Sequence, residues 1–141
     1  MRSSIYLFFL SFLMSCVLAQ TPDTVKKNFN KKYPNATEVS WRVDRNSLRE
    51  AHFKINDLKY RADFTLSGKW IETERNVKWE DLPEAVKNAF KNEDKEKDIV
   101  EIELVDHYEK GSFYDIEYKA GSDKKDIEIR PDGSVIRTGG H

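Results

Sequence analysis

A helix-breaking Tyr33-Pro34-Asn35-Ala36 runs straight into Val39-Ser40-Trp41, where apolar and polar residues alternate. Upstream, Val25, Phe29 and Tyr33 recur every four residues and form the apolar stripe of a short helix. Lys26, Lys27, Lys31 and Lys32 fall on its other side. Pro34 ends that helix, because a proline pushes the residue before it out of the α region. The same helix-then-strands order returns after Trp79, with Leu82, Val86 and Phe90 as a second stripe. Val25-x-x-x-Phe29 matches Val86-x-x-x-Phe90, and Phe64-x-x-x-Gly68 matches Ile129-x-x-x-Gly133. A period of roughly sixty residues predicts one supersecondary unit duplicated, not a solenoid.

Local signals fill in the elements. Thr21-Pro22-Asp23 reads as a helix start with Thr21 as the cap, and Asp81 with Glu84 reads as a capping box. Val39, Trp41 and Val43 point inward, as do Ala51, Phe53 and Ile55, then Tyr60, Ala62 and Phe64. In the second half Val100, Ile102 and Leu104 point inward, followed by Tyr114, Ile116 and Tyr118, then Ile127 and Ile129. Period two means one buried face and one wet face. Asn56-Asp57 predicts a two-residue hairpin turn, since both residue types tolerate positive φ. Leu66-Ser67-Gly68, Glu109-Lys110-Gly111 and Pro131-Asp132-Gly133 predict three-residue loops. Asp44-Arg45-Asn46 reads as a hairpin turn, lacking the rest of a calcium loop.

The expected fold is α+β and two-layered: a tandem duplication of a helix plus a four-stranded antiparallel meander, with both helices on one face of a concave sheet. Val25, Phe29, Trp41, Phe53, Tyr60, Phe64 and Trp70 are expected to share a single core with Leu82, Val86, Phe90, Ile102, Leu104, Ile116, Tyr118, Ile127 and Ile129. The repeats would occupy about 20–78 and 79–141 of a domain spanning 20–141.

Arg2, the apolar run Ile5 to Met14 and the small-residue exit Val17-Leu18-Ala19 describe a signal peptide over 1–19, with the mature chain starting at Gln20. The run is too short to span a bilayer. Leu13-Met14-Ser15-Cys16 leaves open an alternative lipoprotein anchored through Cys16, the one cysteine. The formal net charge is -1, so no bulk basic signal points to nucleic acid.

No residue set stands out as catalytic. His52, His107 and His141 lack metal-ligand spacing with another His or Cys. Neither a metal nor a cofactor is expected. Trp41 and Trp70 lie in the inward register and read as core; Trp79 precedes the second helix.

The wet face carries the candidate site. The Asn56-Asp57 turn sets His52 opposite Arg61 and Lys54 opposite Lys59. Pairing Trp41 with Phe53 adds Arg42, for a basic row Arg42–His52–Arg61. Pairing Leu104 with Ile116 and Ile116 with Ile129 gives an acidic row Glu103–Glu117–Glu128, with Glu101 and Asp115 beside it. Two readings fit these rows: a merely solvated surface, where screening keeps like-charge repulsion small, or a two-signed docking face for an exported protein or for a second copy of the chain, which would be a monomer or associate weakly.

Val25 to Phe29, Tyr33-Pro34-Asn35-Ala36, Val39-x-Trp41, Phe53, Phe64-x-x-x-Gly68-x-Trp70, Glu72-Thr73-Glu74 and Leu82-Pro83-x-x-Val86 together resemble the PepSY-like, beta-lactamase-inhibitor-protein-like domains. These are small exported proteins common in Bacteroidetes. The resemblance covers the mature chain and implies a two-layer fold, a tandem repeat, a concave sheet and a periplasmic or secreted location. It implies no settled activity, and by analogy of fold it suggests binding or inhibition of a secreted enzyme. With no catalytic residue set, the expected function is a non-enzymatic binding module, an inhibitor or regulator of an exported enzyme; a small-ligand or metal-ion binder is the alternative. Asn92-Glu93-Asp94 departs from the pattern, standing where the first unit has Tyr33 to Ala36.

Overall fold

The computed structural model describes residues 20–92 and 98–140. The expected signal segment, Cys16 included, and the exit of the second helix at Glu93-Asp94 lie outside them. The chain runs α1 (Asp23–Lys32), β1 (Thr37–Val43), β2 (Arg49–Ile55), β3 (Leu58–Phe64), β4 (Trp70–Asn76), a 3-10 turn (Trp79–Asp81), α2 (Glu84–Asn92), β5 (Asp98–His107), β6 (Gly111–Ala120), β7 (Asp123–Ile129) and β8 (Val135–Gly140). All eight strands form one antiparallel sheet whose spatial order is the chain order. The fold is α+β.

Both helices lie on one face. Val25 and Phe29 of α1 pack on Ala51, Phe53, Ala62 and Phe64. Leu82, Val86 and Phe90 pack on Ile102, Ile116, Tyr118, Ile127 and Ile129. Ala62 stands opposite Thr73 and Thr73 opposite Asp106, so the two apolar sets share a side of the sheet.

The core is two clusters, not the single one expected. A helix is about 10 Å across and strands lie about 4.8 Å apart, so two helices leave part of an eight-stranded sheet bare. The bare strip is β4–β5, where Thr73, Arg75, Leu104 and Asp106 occupy the helix side. Leu104 is consequently only half-buried and belongs to neither cluster.

Several local expectations hold. Asn56 and Asp57 both have positive φ, and Ile55 stands opposite Leu58. Phe64 pairs with Trp70 around Gly68. Asp44 Oδ1 accepts the Asn46 and Leu48 amides at 2.9 and 2.6 Å, which closes the first hairpin as an Asx-type turn.

Others need correction. The N-cap of α1 is Pro22 and no side chain caps it. Asp81 falls in the 3-10 turn, and α2 begins only after Pro83, whose carbonyl accepts the Val86 and Lys87 amides. Asp81 is thus too far ahead to form the capping box. Trp41 stands opposite Ala51, not Phe53, because the first hairpin already closes with Val43 opposite Arg49; a bulge between Thr37 and Ser40 lies beyond these pairs. A second bulge between Ile99 and Glu101 turns Val100 outward at 44% exposure and lets Ile99 pack instead. Leu104 pairs with Tyr114, and Ile116 with Ile127, each two residues off the expected register. The β5–β6 loop is Tyr108–Lys110, and Gly111 already pairs with His107, which accounts for the first slip.

Candidate functional site: the helix-free face of the sheet

Period two puts every second residue of each strand on the face away from the helices. Four cross-strand rows follow from the register. Ser40–His52–Arg61–Glu74–Val105–Phe113 runs through the middle. Arg42–Glu50–Asp63–Glu72–His107 lies on one side of it. Glu103–Asp115–Glu128–Arg137 and Glu101–Glu117–Asp126 lie on the other, and Lys54 stands opposite Lys59.

All ten candidate residues, Arg42, His52, Lys54, Lys59, Arg61, Glu101, Glu103, Asp115, Glu117 and Glu128, are on this face, but not in the expected rows. His52 does face Arg61. Arg42 faces Glu50 instead of His52, because the first hairpin closes at Val43 and Arg49. Glu103 faces Asp115, and Glu117 faces Asp126, because the register is two residues tighter. Nor is the basic half purely basic. Arg61 Nη2 lies 2.6 Å from both Glu74 and Glu103, His52 bonds Glu50, and Lys54 bonds Glu38 at 2.7 Å.

The face is also drier than expected. Asp126 and Glu128 are buried, and so are Val105 and Phe113 beside them. Lys110 reaches Glu128 at 2.8 Å, and Arg137 lies across both carboxylates, bonding Asp126 and reaching Glu128 at 3.2 Å. Two long cations thus lid the buried pair, their stems covering apolar surface.

Elsewhere carboxylates crowd together without enough cations. Burial, reinforced by Glu50, Glu74 and Glu72, pushes the Asp63 carboxyl up to about 7. Burial and then Glu74 push Glu103 up to about 7, against the pull of Arg61. Burial and then Asp126 push Asp115 up to about 6. Glu72 is raised for the same reasons. Asp63, Glu72, Glu74 and Asp126 were missed as site members; their alternation with inward residues places them on this face.

A hollow of about 290 Å³ opens among the central side chains, lined by Glu38, His52, Lys54, Lys59, Arg61 and Glu103, with neighbours from β4. Beside it a smaller one of about 60 Å³ is lined by Glu101, Glu103, Asp115, Glu117 and Asp126. Among the described residues no three His, Cys, Asp or Glu side chains are placed to hold a metal ion. His107 is a turn residue, its Nδ1 accepting the Glu109 and Lys110 amides at 3.0 and 3.2 Å. Trp41 and Trp70 pack against the first cluster and Trp79 against the second.

Solved structures share this architecture. A candidate periplasmic protein of Bacteroides eggerthii is 25% identical with a TM-score of 0.74, over 86% of this chain and 89% of that one. A BLIP-like protein of Bacteroides fragilis is 19% identical with the same TM-score, over 86% of each chain, a likeness of fold alone. Among curated proteins none matches. Among the described residues no helix is long and apolar enough to cross a membrane. A family model described as PepSY-like, of candidate beta-lactamase-inhibitor-like proteins, matches residues 15–61 and 48–137. With nearly the whole chain so matched, and the two-helix, eight-stranded sheet in place, the chain belongs to the PepSY-like family.

Proposed function

We propose that the chain is an exported, non-enzymatic binding module whose helix-free sheet face docks on another exported protein, as an inhibitor or regulator. The carrying observation is that face: fixed rows of charge on strands, around a hollow of about 290 Å³. Charge held on strands needs little ordering on contact, and complementary charge speeds and orients encounter. The family description as beta-lactamase-inhibitor-like supports this reading. The N-terminal Arg2-to-Ala19 pattern and the periplasmic description of the Bacteroides eggerthii relative support a periplasmic or secreted location, with residues 1–19 removed. The paired order of a helix and four strands supports a tandem origin for 20–78 and 79–141.

Surface reversals test the docking face. Lys59 is exposed and Glu101 is exposed, so neither change should unfold the sheet. Lys59→Glu, and separately Glu101→Lys, should each lose most of a partner that the wild-type protein retains from a periplasmic extract at low salt. That loss should shrink as salt rises. Equal retention by both variants would show that this face is not the docking surface.

A further inference from the structure

Among the described residues strand β1 is an edge of the sheet, pairing only with β2. Edge strands offer unpaired backbone groups to any strand that fits them. On the helix side β1 shows an apolar stripe: Val39 is 41% exposed, Val43 46%, and Trp41 between them is only partly covered by the Phe29 ring at 5.3 Å. On the other side stand Glu38, Ser40 and Arg42. Arg42 is exposed, and among the described residues it has no ion-pair partner. The Glu38 side chain is 66% exposed although it reaches Lys54.

The segment Thr37-Glu38-Val39-Ser40-Trp41-Arg42-Val43 is complementary to itself in antiparallel register. With Ser40 opposite Ser40, Glu38 meets Arg42 and Val39 meets Trp41, each pair occurring twice. Opposite charges and an aromatic facing a β-branched residue are favourable cross-strand pairs. Such a contact is isologous, the same patch on both copies, and it closes at two chains. We propose that β1 pairs with β1 of a second copy about a two-fold axis at Ser40, joining two sheets into one. The axis is perpendicular to the sheet, so all four helices share one side and the two helix-free faces become continuous. The bulge at Glu38, with φ 52, limits the shared ladder to Val39–Trp41 and leaves Glu38 to reach Arg42 by its side chain. A short ladder makes the dimer weak and concentration-dependent. This surface is distinct from the hollow at the centre of the face.

Sedimentation of the purified protein over a concentration series tests it, with thermal melting to confirm each variant is folded. Wild-type protein should shift from monomer to dimer as concentration rises. Arg42→Glu alone and Glu38→Arg alone should each weaken dimerisation about tenfold or more, since like charges then meet twice. Mixing these two variants should restore a one-to-one heterodimer, because each strand then carries one sign. Val39→Lys should abolish association with any of them. A wild-type protein that stays monomeric at all concentrations overturns the proposal. So does a dimer that survives both single changes, or a mixture that stays monomeric.

Discussion

Phe53 sits among three rings: Phe29 at 5.0 Å edge-on, Tyr33 at 4.7 Å and Tyr60 stacked at 5.6 Å. Phe64 meets Phe29 and Trp41 at 6.1 and 6.2 Å. Truncating either to alanine removes transfer energy and leaves a cavity, so each change should cost about 3–5 kcal/mol by denaturant unfolding. Asp63 acts in the opposite sense. Its carboxyl titrates near 7 when folded, well above its ordinary value of 3.8. The folded state therefore binds the extra proton, and stability is lost as pH rises from about 4 through about 7. Asp63→Asn should raise Tm by a few degrees at pH 8 and leave it nearly unchanged at pH 4, by calorimetry. Partial solvent access keeps the gain below what the full shift implies. Inward positions were largely legible from alternation. Arg49 was not: it is buried on the helix side beside Phe64, its Nε without a hydrogen bond, and a charged residue at a strand start reads as surface.

Each helix is met by the hairpin that closes the far end of its own strand set. Asn28 of α1 donates to the Gly68 carbonyl at 2.9 Å. A Cβ on Gly133 would lie 2.8 Å from the Ala85 carbonyl of α2, at φ 89. Gly111 has a similar φ of 72 but open space around it. Gly111→Ala bears backbone strain alone, about 1 kcal/mol. Gly133→Ala adds a backbone clash and should cost roughly 1–3 kcal/mol more by equilibrium unfolding. Equal losses would mean the α2 contact is not tight. Turns, strands and helix stripes were readable because each rests on local chemistry. The points where hairpins close were not: closure at Val43 with Arg49, His107 with Gly111 and Ala120 with Asp123 moves each register by two residues, which keeps the face and leaves the alternation unchanged. The candidate residues were therefore assigned to the right face, with His52–Arg61 and Lys54–Lys59 paired as found, but with the wrong neighbours for Arg42, Glu103, Glu117 and Glu128.

At the scale of the molecule the two clusters meet only through β4 and β5, whose helix side carries Thr73, Arg75, Leu104 and Asp106. Nothing in the alternation of Leu104 distinguishes it from Ile102, so the division of the core followed from how far a helix reaches, not from any residue. Strand order equal to chain order has a temporal meaning. Each hairpin brings its strands together across a short loop, at small entropic expense, whereas β4 must wait for β5 across the whole of α2. Synthesis delivers the amino-terminal half first. For that interval β4 is an open border, and the Glu72–Asn76 backbone that will later receive His107–Glu103 stands ready for any matching strand. Crowded nascent chains are then most exposed to exchanging halves, and slowing the arrival of β5 by lengthening the segment before it lengthens that hazard.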